Sequence, residues 1–404
     1  MRRLRTVLFR LHWLLGLVAG LISAVAGVTG ALLSYEDAIG EIVDAGLIHV
    51  IPRAEAPLGP DALLARFRAQ RPEGVASLTL PAEPGIAAMV RLARDPATGQ
   101  RSPSLYLDPH DGTVRGAART EDAFTFIRRL HRWLLLPGDG KGWGRTLTGL
   151  SVLALLVLLA TGLYLRWPKV MSWRIWLKPN LRQWGRPTYW SLHAVAGTWV
   201  LPVYLVIALT GLWWSYDGYR EVANALLTRG ETITRMADGK PPAGTEKARP
   251  AKNKPARAEV SLGAPNAPAL DTAWAAFRVV DGGQFLRATL LLPGGATGPV
   301  RIRSENRNGW RDDTRIEAAT GRVLVHEVGG ERPLGVRMAA NMVDVHSGRF
   351  FGMLGPPIFL VAALLMPLFL VTGLLLYVGR RAAAARRRGA SAAIPAVTSA
   401  RLTP

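Results

Sequence analysis

Four stretches of the chain carry no formal charge over a length that would cross a membrane. They occupy residues 11–35, 146–165, 187–216 and 350–379, each closed at both ends by a charged residue. About 20 apolar residues span a bilayer as a helix, so this pattern predicts four spanning helices. Between them the rhythm shortens. Residues 60–70 read as a helix, 77–80, 89–92 and 104–107 as strands, and 107–114 as strand, turn, strand. The same scheme returns later, with a helix over 269–279, strands at 285–292 and 300–303, and a strand–turn–strand over 315–324. The expected fold class is a mainly α membrane protein: a four-helix transmembrane bundle with two small α+β domains outside the bilayer.

Charge sets the expected orientation through the excess of Lys and Arg on cytoplasmic loops. Arg2, Arg3, Arg5 and Arg10 precede the first span, and Arg166, Lys169, Arg174, Lys178, Arg182 and Arg186 join the second to the third. Arg380, Arg381, Arg386, Arg387 and Arg388 follow the fourth. With four spans all three clusters share one side, so both termini are expected in the cytoplasm. The expected division is a first span at 1–35, an outer domain at 36–123, and a surface helix plus second span at 124–166. A cytoplasmic loop at 167–186 and a third span at 187–216 follow. The second outer domain covers 217–345, with a disordered basic linker at about 237–258. The fourth span takes 346–379 and a basic tail 380–404. Most of the net charge of +21 thus reflects topology and contact with membrane lipid, and nucleic-acid binding is not expected. The arginines, apolar run and Ala24-Val25-Ala26 also resemble a signal peptide, but the run is long for one.

The first and third spans align without a gap. His12 falls on His193, Gly16 on Gly197, Thr29-Gly30 on Thr210-Gly211, and Ser34-Tyr35-Glu36 on Ser215-Tyr216-Asp217. The second and fourth share Thr161-Gly162-Leu163 and Thr372-Gly373-Leu374. Each half therefore reads as helix, outer domain, helix, which is a parallel two-fold duplication. A signal peptide repeated in mid-chain would make no sense, so the first helix is expected to be retained.

Histidine is the residue that the duplication treats most consistently. His12 and His193 begin spans one and three on the basic side; His131 and His346 precede spans two and four on the other. Two neutral imidazoles from facing helices suit the two axial positions of a b-type haem, which then carries electrons rather than oxygen. Two haems per chain, one per leaflet, would form a wire across a core about 30 Å thick. Gly16 and Gly197 lie one helical turn after their histidines, on the same face, where a missing side chain leaves room for a porphyrin edge. Arg10, Arg132 and Arg349 are candidates for the haem propionates or for phospholipid. Cysteine is absent, which excludes disulfides, thiolate iron–sulfur clusters and c-type haem attachment. His49, His110 and His326 have no second ligand at metal-site spacing. Trp13, Trp133, Trp143, Trp167, Trp190, Trp213 and Trp214 fit an interfacial aromatic belt. The Gly-rich segment 138–144 lacks the Ser or Thr of a Walker A loop, and no dinucleotide fingerprint occurs. The reductant is expected from a quinol or a cytoplasmic donor.

The chain resembles the PepSY-associated transmembrane family in Leu11-His12 with Gly16, Leu130-His131-Arg132, Leu192-His193 with Gly197, and Val345-His346-Ser347-Gly348. The turns at 108–114 and 319–323 resemble the D-P-x-T-G-x-V turn of PepSY modules, though the second lacks Asp-Pro. The resemblance implies PepSY-like periplasmic domains, a bacterial inner-membrane location, and a di-haem ferrisiderophore reductase that passes electrons to a periplasmic ferric siderophore or other ferric chelate. It implies that His12 with His193 hold the inner haem iron and His131 with His346 the outer one. Two rival readings are a cofactor-free envelope protein that binds or regulates peptidases, and a metal transporter. The spans lack carboxylates, which disfavours the transporter.

Overall fold

The protein is described by a computed structural model covering residues 2–94, 102–167, 172–228, 270–292, 298–307 and 309–392. The basic linker expected at about 237–258 lies outside the described residues, as does the chain beyond 392. In chain order the first half forms α1 (Arg2–Ser34), α2 (Glu36–Val43), α3 (Ala45–Ile48) and α4 (Pro60–Gln70). Strands β1 (Val75–Pro81), β2 (Ala88–Leu92), β3 (Leu105–Leu107) and β4 (Val114–Ala117) come next, then α5 (Glu121–Trp133) and α6 (Trp143–Arg166). After α7 (Trp173–Leu177) the second half begins with α8 (Arg186–Ser215), α9 (Asp217–Thr228) and α10 (Leu270–Asp281). It continues through β5 (Phe285–Leu291), β6 (Val300–Asn306), β7 (Arg311–Ile316) and β8 (Val323–Glu327). Helices α11 (Leu334–Ala340), α12 (Met342–Ser347) and α13 (Gly355–Ala392) close it.

The chain divides into two compact units. One contains α1, α6, α8 and α13, the four helices among the described residues that are long and apolar enough to cross a membrane. They pack in a ring, α1 beside α6, α6 beside α8, α8 beside α13 and α13 beside α1, so that α1 and α8 face each other diagonally. Lipid tails are as apolar as leucine, so small residues that admit close approach drive such packing. Helix α1 supplies them: Ala19, Ala24 and Ala31 are buried. A Cβ on Gly27 would press on the Ala363 carbonyl and Met366 of α13. At mid-depth Leu155, Val200, Tyr204, Ala208, Ala362 and Met366 form a buried apolar cluster.

The apolar run expected as a fourth span starts at Phe350, whereas the helix starts at Gly355. Gly348 and Gly352 have φ of 86° and 74° and bracket a single 3-10 turn, Arg349–Phe351. Ahead of α6, where a surface helix was expected, lies α5. That helix ends at Trp133, and Leu134 and Leu135 turn left-handed at φ 54° and 58°. The Gly-rich segment that follows is a tight reversal: Cβ atoms on Gly142 and Gly144 would collide with the carbonyls of Pro137 and Trp133. Gly138, Gly142 and Gly144 are accounted for by this close backbone approach.

The second unit was expected as two modules, and its eight strands instead form one antiparallel sheet, ordered β4-β3-β2-β1-β5-β6-β7-β8. The join is the β1–β5 pair, registered from Ser77 opposite Leu291 to Pro81 opposite Arg287. Alternation buries Leu78 and Leu80 of β1 with Ala88 and Val90 of β2, and Ala288 and Leu290 of β5 with Val300 and Ile302 of β6. Helices α4 and α10 add Leu63, Leu64, Phe67, Leu270, Ala273 and Phe277 to the same core. The two helices cap each other. The Asp61 backbone N–H donates to the Asp271 carboxylate at 3.0 Å, and the Asp271 N–H to the Asp61 carboxylate at 2.9 Å. Both carboxylates face helix N-termini, where the dipole favours them. Asp61→Ala and Asp271→Ala are each expected to lower stability by about 0.5–2 kcal/mol, measured by chemical denaturation. The double substitution should fall short of the sum, because each removes part of one shared arrangement.

Candidate functional site

Every expected span histidine is found in one of two couples inside the helical unit. The rings of His12 on α1 and His193 on α8 lie 6.2 Å apart between centroids, with planes at 74°. The rings of His131 on α5 and His346 on α12 lie 6.3 Å apart, at 70°. An imidazole nitrogen lies about 1.1 Å from its ring centre and about 2.0 Å from a metal it binds. Two imidazoles facing each other across one ion therefore have centres about 6 Å apart, and both couples match that separation. Thr29 follows His12 by seventeen positions, as Thr210 follows His193. At 1.5 Å per residue this places the two couples at levels about 25 Å apart along the helices, with the apolar cluster between them.

The couples are held by threonines that stand out in the sequence only as part of the repeat. His12 Nδ1 lies 2.8 Å from Thr161 Oγ1 of α6, and His193 Nδ1 2.8 Å from Thr372 Oγ1 of α13. His131 Nδ1 lies 3.0 Å from Thr29 Oγ1 of α1, and His346 Nδ1 2.7 Å from Thr210 Oγ1 of α8. Each threonine hydroxyl also donates to the carbonyl four residues back: Val25 at 2.6 Å, Val157 at 2.7 Å, Val206 at 2.6 Å and Leu368 at 2.6 Å. A hydroxyl has one proton. With it committed to the helix, the oxygen can only accept from the ring, so Nδ1 carries hydrogen and Nε2 keeps its lone pair. For His131 the Ala26 carbonyl, an acceptor by nature, also lies 3.0 Å from Nδ1. Burial lowers the His131 pKa. Burial, then the nearness of His131, holds His346 down to about 3. Both rings of this couple are therefore neutral at physiological pH.

The glycine after each threonine receives the ring edge. A Cβ on Gly162 would stand 3.2 Å from His12 Cε1, and one on Gly30 3.1 Å from His131 Cε1. On Gly373 and Gly211 the distances to His193 and His346 Cε1 relax to 3.8 and 3.9 Å. Each couple thus has one tight and one loose ring. Further aromatic edges meet the rings: Phe369 lies 5.3 Å from His193 and Trp214 5.3 Å from His346. The signal for this support was present in the sequence as Thr-Gly inside otherwise apolar spans.

The remaining expectations divide. Gly16 and Gly197 sit outside these contacts: their nearest neighbours across a virtual Cβ are Leu158 at 3.9 Å and Phe369 at 3.7 Å. Protein packing alone does not require glycine at either position. Arg10 is exposed. Arg132 stacks over Trp133, and Arg349 reaches Asp344 at 3.2 Å beside the outer couple. His326 pairs with Thr314 on the sheet, and His49 forms an isolated bridge with Ile86. Among the described residues no three His, Cys, Asp or Glu side chains converge on a metal-sized site. Each couple brings two imidazoles together with no third such side chain beside them among the described residues.

These features define a class: a polytopic helical membrane protein with two imidazole couples in its bundle. The sequence matches the family described as the PepSY-associated TM region over residues 9–380, and the chain belongs to that family. A search of curated proteins returned no match.

The glycine contacts give a differential outcome. Gly162→Ala and Gly30→Ala should displace His12 and His131, whereas Gly373→Ala and Gly211→Ala should leave their rings in place. Metal or porphyrin titration of the purified variants reads the difference. Equal behaviour of all four would contradict the tight and loose assignment.

Proposed function

We propose that this protein is a di-haem b electron carrier of the bacterial inner membrane that reduces a periplasmic acceptor, a ferric siderophore or another ferric chelate. The observation that carries the reading is the pair of imidazole couples, each spaced for one axially ligated ion, at two levels of a membrane bundle. His12 and His193 would hold the inner haem, and His131 and His346 the outer one. Haem, when bound there, would supply one-electron redox chemistry. The chain's own residues hold each Nδ1 against a threonine, leave Nε2 free and surround the mid-depth with apolar side chains. Gly16 and Gly197, glycines that protein packing does not require, suit a porphyrin edge.

Orientation follows from the arginine-rich ends and the loop 167–186, which put both termini in the cytoplasm and the sheet unit in the periplasm. A parallel duplication belongs to the same proposal. The matched His–Thr bonds and the reciprocal Asp61 and Asp271 caps support it. Delivering an electron to a ferric chelate makes chemical sense, because Fe(II) is held less tightly than Fe(III) by hard oxygen ligands. A quinol or a cytoplasmic flavoprotein would act as donor.

Protein purified from haem-replete cells should contain about two b haems per chain with low-spin bis-imidazole spectra, and the chemically reduced form should be reoxidised by added ferric chelate. His12→Ala and His346→Ala should each remove about half of the haem. A colourless full-length protein would sink the proposal.

A further inference from the structure

We infer that Thr29, Thr161, Thr210 and Thr372 are positioning residues that set the tautomer and the electron-donating strength of the four imidazoles, and so the reduction potential of the centre each couple holds. The inference rests on the haem reading. Its basis is one local arrangement found four times. In each, a threonine has its hydroxyl proton tied to its own helix at 2.6–2.7 Å. In each, the oxygen lies 2.7–3.0 Å from a histidine Nδ1 of another helix.

Threonines in apolar helices commonly back-bond to the preceding turn with no further role. That habit explains the helix contact and not the second one. A threonine with a free hydroxyl proton could serve either tautomer, because it can donate to a bare Nδ1 as readily as accept from a protonated one. Back-bonding removes that choice. The χ2 torsion of histidine is broad and roughly two-fold, so an unheld ring can swing Nδ1 toward the partner imidazole. The Oγ1 contact opposes that swing, and the glycine beside it fixes how closely the ring edge seats.

The electronic consequence follows from the direction of the bond. When Nδ1–H donates to an acceptor, electron density at Nε2 rises and the ligand becomes more basic. A more basic axial ligand stabilises the oxidised metal more than the reduced one, and lowers the potential. Each couple has two such bonds, one per ring. The two centres are addressed separately, by Thr161 and Thr372 at one level and Thr29 and Thr210 at the other. Neither ring of a couple relies on the helix that carries its partner: α6 holds His12, and α13 holds His193.

The test is spectroelectrochemical titration of the full-length haem-loaded protein with Val and Ser at each of the four positions. Valine keeps the shape and removes the acceptor; serine keeps the acceptor. Thr161→Val and Thr372→Val should each shift only the inner centre toward easier reduction, by roughly tenfold in its equilibrium constant, or about 59 mV for one electron. Thr29→Val and Thr210→Val should do the same to the outer centre alone, and the serine variants should titrate like the parent. Loss of one haem in a valine variant, with both kept in the serine variant, also supports the inference. Unchanged potentials in haem-replete valine variants would overturn it, as would equal shifts or equal haem loss with valine and serine. A parent protein without haem would overturn the functional proposal instead, so the two failures are distinct.

Discussion

A hydroxyl group with its only proton already spent is the element on which the rest of the site depends. Four threonines donate to their own helices and accept from an imidazole of another. Net, such a bond contributes only about 0.5–1.5 kcal/mol, yet it decides which nitrogen of each ring is free. Without it, two histidines approaching from separate helices would share a neighbourhood and no defined geometry. With it, four Nε2 lone pairs point away from their anchors, two at each level of the bundle.

The bundle is arranged to bring those anchors within reach. Spans that lie diagonally in the ring, α1 and α8, carry the inner histidines, and the intervening α6 and α13 carry the threonines that hold them. At the outer level the roles exchange: α1 and α8 give the threonines, while the histidines ride on the short helices ahead of α6 and α13. Those short helices are turned into place by left-handed residues, Leu134 and Leu135 before one span and Gly348 and Gly352 before the other. A non-glycine residue in that region costs about 1–2 kcal/mol. Paying it twice in succession beside a histidine marks the α5–α6 corner as a place where position outweighs local comfort.

The sheet unit obeys a different economy. Its stability comes from burial of apolar side chains, with Phe67 and Phe277 fully enclosed and each such residue contributing about 1.5–3 kcal/mol. Its two halves meet through backbone pairing of β1 with β5 and through aspartates exchanged between α4 and α10. Neither contact could be read from the local pattern. Strand alternation tells which face of a segment is buried, and says nothing about which strand lies at its edge. Hence two modules were expected where one continuous sheet exists.

Much of the membrane half was legible because the bilayer imposes a rule that acts on sequence directly: uncharged runs of sufficient length, bounded by charged residues. The four histidines were legible because His12 and His193 fall at matching places inside two such runs, and His131 and His346 precede the other two. Thr161-Gly162 and Thr372-Gly373 show in the sequence only as a repeat, because the histidines they hold lie on other helices. By itself the sequence determined the spans, the family and the identity of the imidazoles, because hydropathy and residue type are local properties. Only the tertiary structure decided which side chain anchors each ring, which nitrogen each leaves free and where the helix of the fourth span begins, because those depend on hydrogen bonds and backbone turns between segments far apart in the chain.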